Sequence, residues 1–270
     1  MEADQASVLV TGASSGIGAA TARLLHRRGF RVFGTSRRPE QLGDDAPRVE
    51  WVAMDVCDED SVQKGVDQVL KAAGRLDGLV CNAGFGIFGS VEEVPIVEAK
   101  AQFETNFFGC LRTLRAGIPP MRAAGRGRIV VVGSLSGRAP IPFQAHYSAT
   151  KAAVDALTLG LRNELHPTGV QVSLVEPGDI NTPFNDRMQW GETGQSAYAE
   201  RIRRCEETIR ELLPKAPPPE VVAQAILRAL SDRRPRVRYA VGADSRLVPI
   251  ARRLLPDWLS LQFIRSHFKI

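Results

Sequence analysis

The stretch SVLVTGASSGIG, Ser7–Gly18, joins a short apolar run to a glycine-rich turn near the start of the chain. Ser7 to Thr11 reads as a buried strand, and Ala19 to Arg28 as a helix stopped by Gly29. A strand that feeds a helix through Gly12, Gly16 and Gly18 suits phosphate binding. The glycines allow a tight turn and close backbone approach, while the helix N-terminus offers N–H donors and positive potential to a pyrophosphate. Structural turns use glycine too; the place of this one, in the first strand–helix unit, gives it meaning.

Outward from that turn, strand and helix patterns alternate. Strands read at Arg31–Thr35, Arg48–Met54, Gly78–Cys81, Arg128–Val132 and Val170–Glu176, with Val237–Val241 last. Ser61–Ala73 carries Val62, Val66, Val69 and Leu70 at helical spacing. Residues 96–122 read as a long helical region interrupted at Gly109 and at Pro119-Pro120, and Ala145–His166 as a long helix. This alternation predicts an α/β fold, a doubly wound parallel sheet of the Rossmann type in three α/β/α layers with right-handed crossovers. After Pro177 the chain becomes polar and irregular to about Gly194, then helical to Leu213; Pro219 opens a further helix, Glu220–Leu230. One domain over residues 1–270 is expected, with a helical substrate flap at 183–215 after the sixth strand and a basic C-terminal segment at 242–270.

Composition narrows the class. The 270 residues are 44% apolar and 24% charged, ordinary for a soluble globular chain long enough to bury a core without staples. Cys57, Cys81, Cys110 and Cys205 are scattered, with no Cys-x-x-Cys and no adjacent histidine, so a reduced cytoplasmic setting and no metal site are expected. The start, MEADQASVLV, is acidic where a secretory leader is basic, and no run of about eighteen apolar residues predicts a membrane span. The net charge of +5 gathers at the end: Arg228 to Ile270 holds nine arginines and one lysine against Asp232, Asp244 and Asp257. Such asymmetry suits an anionic surface, a solvated face or a subunit contact. No nucleic-acid partner is expected; peripheral membrane contact through Leu254, Leu255, Trp258, Leu259 and Phe263 is.

The chemistry lies in GSLSGRAPIPFQAHYSATK, Gly133–Lys151. Tyr147 and Lys151 are four apart and share a helix face, so the ammonium can favour phenolate and lower a tyrosine pKa of roughly 10. Tyr147 then becomes usable as a general acid or base. Ser134 follows the apolar strand Ile129–Val132 and can face the same cleft. Ser136 is a competing hydroxyl, and His146, adjoining the tyrosine, points elsewhere on the helix, to a pocket wall or the surface. After the second strand, Arg37 and Arg38 stand where a carboxylate would grip the ribose diol of NAD; arginine suits a 2′-phosphate, which favours NADP(H) over NAD(H).

The ordered set TGASSGIG at Thr11–Gly18, Asp55, Asn82-Ala83-Gly84, Asn106, Ser134, Tyr147, Lys151, Pro177-Gly178 and Thr182 resembles the short-chain dehydrogenase/reductase family, single-domain branch, over roughly Ser7 to Val241. The resemblance implies a catalytic set of Asn106, Ser134, Tyr147 and Lys151. Ser134 would bond the substrate oxygen, Tyr147 would move the proton, Lys151 would hold the nicotinamide ribose and tune the tyrosine, and Asn106 would anchor a water leading to solvent. It also implies cofactor contacts from Gly12, Ser14, Ser15, Gly16, Ile17 and Gly18, from Asp55 (to adenine) and Val56, and from Asn82, Ala83 and Gly84. Pro177, Gly178, Ile180 and Thr182 (to the carboxamide) complete that set. Cys81 departs from the pattern, where the family usually has another asparagine; it reads as structural. GTSRRPEQL and PGDINTPF resemble the branch that includes 17β-hydroxysteroid and retinol dehydrogenases and many bacterial oxidoreductases.

The walls suggest the substrate. Phe85, Ile87, Phe88, Pro140 to Phe143, Phe184, Met188 and Trp190 would make an apolar pocket for a lipophilic ketone, alcohol or aldehyde; several of them would serve equally as core. Two other readings stand beside it: a 3-oxoacyl reductase acting on a carrier protein or CoA thioester, and a non-catalytic NADP-binding sensor or scaffold. The resemblance also implies a homodimer or homotetramer, and the small-residue face of Ala149–Gly160 could pack against a second subunit.

Overall fold

The computed structural model describes residues 6–183, 189–190 and 196–270. Its strands, in chain order, are β1 Ser7–Val10, β2 Arg31–Ser36, β3 Glu50–Ala53, β4 Gly78–Cys81, β5 Ile87–Phe88, β6 Gly127–Val132, β7 Val170–Pro177, β8 Gln189–Trp190 and β9 Arg238–Val241. The helices are α1 Gly16–Arg27, α2 Glu59–Ala73, α3 Ile96–Phe103, α4 Gly109–Ala123, α5 Ala145–Glu164, α6 Ala199–Leu212, α7 Glu220–Ser231, α8 Asp244–Leu254 and α9 Asp257–His267. Seven strands form one sheet in the order β3-β2-β1-β4-β6-β7-β9, every pairing parallel. The doubly wound fold expected from the alternation is the fold observed.

The pleat divides the core. Leu9, Leu79, Ile129 and Val131 face α2, α4 and α5, joining Val62, Val66, Leu114, Met121, Val154 and Leu161. Their neighbours Val8, Val10, Val80, Val130 and Val132 face α1 and α7, joining Leu25, Val222, Ile226 and Leu230. Strands buried on both faces carry runs of apolar residues, which is why β1, β4 and β6 read as unbroken in the sequence. Each fully buried Leu or Ile among them contributes about 1.5–3 kcal/mol. The sheet grows from β1 to β3 in one direction and from β4 to β9 in the other, so a crevice opens at the carboxyl ends of β1 and β4, the switch point at which such sheets bind ligands.

Three details differ from the sequence reading. The long helical region breaks at Glu104–Phe108, a π-type segment ahead of Gly109, while Pro119 and Pro120 are carried inside α4. A proline's fixed φ is itself helical and each forfeits one backbone bond; wide π turns, by contrast, gather at functional sites. Gly109 is required by packing, since a Cβ there would lie 2.8 Å from Val56 Cγ2. Second, β5 and β8 form a separate parallel ribbon that sets Gln189–Trp190 beside Ile87–Phe88. Third, the basic C-terminal segment, to which the sequence reading assigned no secondary structure, is the helix pair α8–α9. Pro256 caps α9 in extended backbone and Asp257 lies in its first turn.

Candidate active site

The glycine turn sits at the crevice. Gly12 and Gly16 have φ of 64° and 52°, where glycine alone is unstrained. Gly18 serves differently: a Cβ there would lie 2.1 Å from the Gly12 carbonyl oxygen and 2.6 Å from Asn82 Nδ2. Ser15, in extended backbone, is the N-cap of α1, so the helix end opens into the cleft. Asn82 clamps β4 to β1: its amide group donates to the Thr11 carbonyl at 3.0 Å, and the Asn82 and Ala83 N–H groups donate to Thr11 Oγ1 at 2.9 and 3.1 Å. Gly12 N–H donates to Thr35 Oγ1 at 3.2 Å, tying in β2.

A cleft of about 1230 Å³ runs across these strand ends. It is lined at one end by Gly12, Ser14, Ser15, Gly16, Ile17, Arg37, Arg38, Asp55 and Val56, all anticipated from sequence. Asn82, Ala83, Gly84, Pro177, Gly178, Ile180 and Thr182 line its middle, together with Ser134, Tyr147 and Lys151. Two anticipated residues stand apart. Gly18 lies behind the turn as a packing contact and does not line the cleft. Asn106 is buried and borders instead a small cavity of about 10 Å³, shared with Lys151, Cys81 and Cys110.

Asn106 is held by its side chain. Its Oδ1 accepts from Phe85 N–H at 2.9 Å, and its Nδ2 donates to Phe85 O at 2.9 Å and to Thr150 Oγ1 at 3.1 Å. The π segment therefore pins the loop after β4 to α5. Ser134 Oγ accepts from Ser136 N–H at 3.2 Å and from Ser136 Oγ at 2.8 Å, which leaves its own O–H to donate; its partner is Tyr147. Ser136, the competing hydroxyl, thus orients Ser134. His146 does not line the cleft, and Cys81 is buried beside Cys110, which with desolvation pushes its thiol well above the usual range.

The tuning differs from the expected one. Burial pushes Tyr147 up to about 12, against a smaller downward pull from Ser134, and burial pushes Lys151 down to about 8. The Lys151 ammonium donates to Val132 O at 2.9 Å and stands 5.8 Å from the centre of the Tyr147 ring. Desolvation outweighs the cation's influence on the phenol. Both groups are driven toward their neutral forms.

At the far end the wall is apolar. Phe85 and Ile141 line the cleft as anticipated, while Ile87 is buried core. Phe88 and Phe143 back the wall, their ring centroids 6.0 Å apart, with Tyr198 6.4 Å beyond Phe143. Phe143 is held at φ 60°, strained for a non-glycine residue, and its carbonyl accepts from Gly89 N–H at 2.8 Å. Phe184 and Met188 lie outside the described residues, and of Trp190 only the backbone is described. Sequence reasoning missed Gln144, Ile209, Leu212, Leu213 and Phe268, all of which line the cleft. The amphipathic pattern of α6 could have flagged Ile209 and Leu212; Phe268, near the end of the chain, carries no local signal. Among the described residues no three His, Cys, Asp or Glu side chains gather as a metal site, and no helix is long and apolar enough to cross a membrane.

Comparison with known proteins agrees with this geometry. Residues 6–192 match the family model described as short chain dehydrogenase. A 3-ketodihydrosphingosine reductase of Bacteroides thetaiotaomicron is 39% identical over 267 residues, covering 97% of this chain and 98% of that protein. An estradiol 17-beta-dehydrogenase 1 of Rattus norvegicus is 33% identical, over 94% of this chain and 78% of that one. Among solved structures, a short-chain dehydrogenase of Streptomyces avermitilis superposes with a TM-score of 0.81 at 33% identity, covering 100% and 97% of the two chains. A Burkholderia cenocepacia short chain dehydrogenase in complex with NADP gives 0.77 at 29% identity, covering 99% of each.

Proposed function

The chain belongs to the short-chain dehydrogenase/reductase family of oxidoreductases, and on that premise we propose that it interconverts a carbonyl and an alcohol on a lipophilic substrate with NADP(H). The observation that carries the proposal is a single cleft with a glycine turn and two arginines at one end, Ser134, Tyr147 and Lys151 at its middle and an apolar wall at the other.

The residues fit a dinucleotide. The backbone of Gly12 to Gly16 and the start of α1 would cradle the pyrophosphate, Asp55 and Val56 the adenine, and exposed Arg37 and Arg38 a 2′-phosphate. Thr182 and Ile180 would meet the nicotinamide end, which supplies the hydride when bound. Tyr147, kept protonated by burial, donates to the carbonyl oxygen in reduction. Ser134, its acceptor sites filled by Ser136, spends its proton on that oxygen or on Tyr147. Lys151 gives one of three N–H bonds to Val132 and keeps two for a ribose hydroxyl. With a pKa near 8 it can pass a proton onward through the cavity beside Asn106, whose size suits about one water. Both Asn106 Nδ2 hydrogens are engaged, so contact with that water falls to Asn106 Oδ1 or its main chain.

The apolar wall and the names of two relatives, one a reductase of a ketosphingoid base and one a steroid dehydrogenase, support a lipophilic ketone. Purified protein should oxidise NADPH faster than NADH with such a ketone. Tyr147→Phe should lower kcat about a thousandfold with NADPH binding kept, and Arg37→Ala with Arg38→Ala should raise the NADPH KM about tenfold and leave NADH unchanged. Full turnover by Tyr147→Phe would defeat the proposal. For assembly, the exposed face of α5 at Ala149, Ala152, Ala156 and Gly160 is where a dimer or tetramer contact would form, and sedimentation velocity would read its size.

A further inference from the structure

We propose that the outer face of α8 and α9 is a docking surface for an anionic lipid bilayer. Twelve large apolar residues are exposed among the described residues, and six of them fall in this one helix pair: Leu247, Ile250, Leu254, Trp258, Leu261 and Phe263. Leu247, Ile250 and Leu254 stand three and seven residues apart, so they form one stripe along α8, and Trp258 with Leu261 begins a second on α9. Leu254 is 77% exposed and Trp258 65%. Of the residues expected to make membrane contact, Leu255 and Leu259 are half-buried, while Leu247, Ile250 and Leu261 take their place on the outside.

The inner face is fixed to the rest of the molecule. Arg252 donates to the Arg138 carbonyl, and Asp244 accepts from the Asp179 N–H at 2.9 Å, beside the cleft. The apolar stripe is therefore turned outward. Its flanks are basic: Arg246, Arg253 and Arg265 are exposed, and among the described residues none pairs with a carboxylate. An apolar stripe with arginines beside it and a tryptophan at one end is the pattern of a helix lying in a bilayer interface, where area and anionic headgroups act together.

A second copy of this chain is a poorer occupant. A two-fold contact sets a patch against itself, and here arginines would meet arginines; the outward acid is Asp257 alone, since Asp244 faces Gly178. The position also has a use. Phe268, one residue past α9, lines the cleft, and with Ile270 it packs on the buried cluster of Phe88, Ile202 and Cys205. A docked helix pair would place the apolar end of the cleft at the lipid surface. That use rests on the lipophilic-substrate reading; docking itself does not.

The test is co-sedimentation of the full chain with vesicles of phosphatidylglycerol and phosphatidylcholine, or of phosphatidylcholine alone, with sedimentation velocity and thermal melting alongside. The protein is expected to pellet with the anionic vesicles at low salt and to release at high salt. A Leu247→Glu, Leu254→Glu, Trp258→Glu variant should pellet at least tenfold less, with unchanged melting and assembly size. If that variant does not fold, Arg246→Gln, Arg253→Gln, Arg265→Gln decides, with an expected loss of preference for anionic over neutral vesicles. Wild-type protein left in the supernatant, either variant pelleting as wild type does, or a smaller assembly in the first variant would overturn the proposal. Absence of ketone reduction would bear on the enzymatic reading and leave this result standing.

Discussion

At one end of the cleft the Gly12 carbonyl fills the space where a Gly18 side chain would begin, and hydrogen bonds between main chain and the Thr11 and Asn82 side chains lock two strands. At the other end Phe85, Ile141, Leu212 and Phe268 face the same space from four separate segments, held by apolar contact. At the first end the turn itself is close-packed backbone tied to two strands and cannot vary without moving the sheet. The second is made of side chains on elements that follow or flank the sheet, so its shape can change while the fold stays. A fixed hydride site and an adjustable wall are what an enzyme family needs to take many substrates with one chemistry.

The comparison breaks most visibly at Gly18→Ala. The added carbon would meet backbone oxygen at 2.1 Å, and neither Gly12 nor α1 can yield without disturbing the turn. A stability loss of about 3 kcal/mol is expected, with NADPH affinity down at least tenfold, measured by chemical denaturation and by cofactor titration. Since Gly18 touches no space in the cleft, unchanged affinity together with unchanged stability would show that the first end is no more rigid than the second.

Lys151→Met probes the middle, where function and stability oppose each other. A folded pKa of about 8 against the ordinary value of 10.5 means that the unfolded chain holds this proton over a range in which the folded chain has released it. Stability contributed by the group therefore rises with pH from 8 to 10.5, and below pH 8 the buried ammonium lowers it by about 3 kcal/mol relative to an unperturbed lysine. Tyr147 acts oppositely, but only between its ordinary value of 10 and its folded value of about 12. Lys151→Met is expected to gain about 2 kcal/mol at pH 7, to lose that advantage as pH passes 8, and to turn over at least a hundredfold more slowly; urea melts at pH 7 and 9.5 with kcat measurements check it.

Legibility followed the same division. The glycine turn was readable because a backbone demand leaves glycines at set positions, the Ser134–Tyr147–Lys151 set because its spacing along strand and helix is regular, and Asp55 and Asn82-Ala83-Gly84 through the family resemblance. Asn106 was found, but the π segment that turns it away from the main cleft was not, since a wide turn differs from a regular helix by a hydrogen-bond shift that no residue type enforces. The direction of tuning at Tyr147 was misjudged because spacing shows a neighbouring charge and hides burial. Phe268 was missed, and the outward face of α8–α9 was read only in part, with Leu254, Trp258 and Phe263 found but Leu247, Ile250 and Leu261 not, for a third reason: which side of an amphipathic segment faces the protein is decided by what it packs on, here Arg138 and Asp179, which lie 114 and 65 residues from their partners Arg252 and Asp244.

The smallest expected effect tests the adjustable end directly. Phe268 contributes one ring to a wall it shares with Phe143, Tyr198 and Ile209, and its own burial is incomplete. Phe268→Ala removes apolar area from the substrate side and nothing from the turn, Asp55 or the arginines. A partly buried ring of this kind accounts for about 1 kcal/mol of binding to an apolar ligand, or roughly a fivefold rise in KM for a long-chain or steroid ketone. KM for NADPH and kcat for a small ketone that never reaches the wall should not change. A matching rise for the small ketone would place Phe268 in general support of the active site; a rise in NADPH KM would join the two ends of the cleft into one unit and remove the distinction between them.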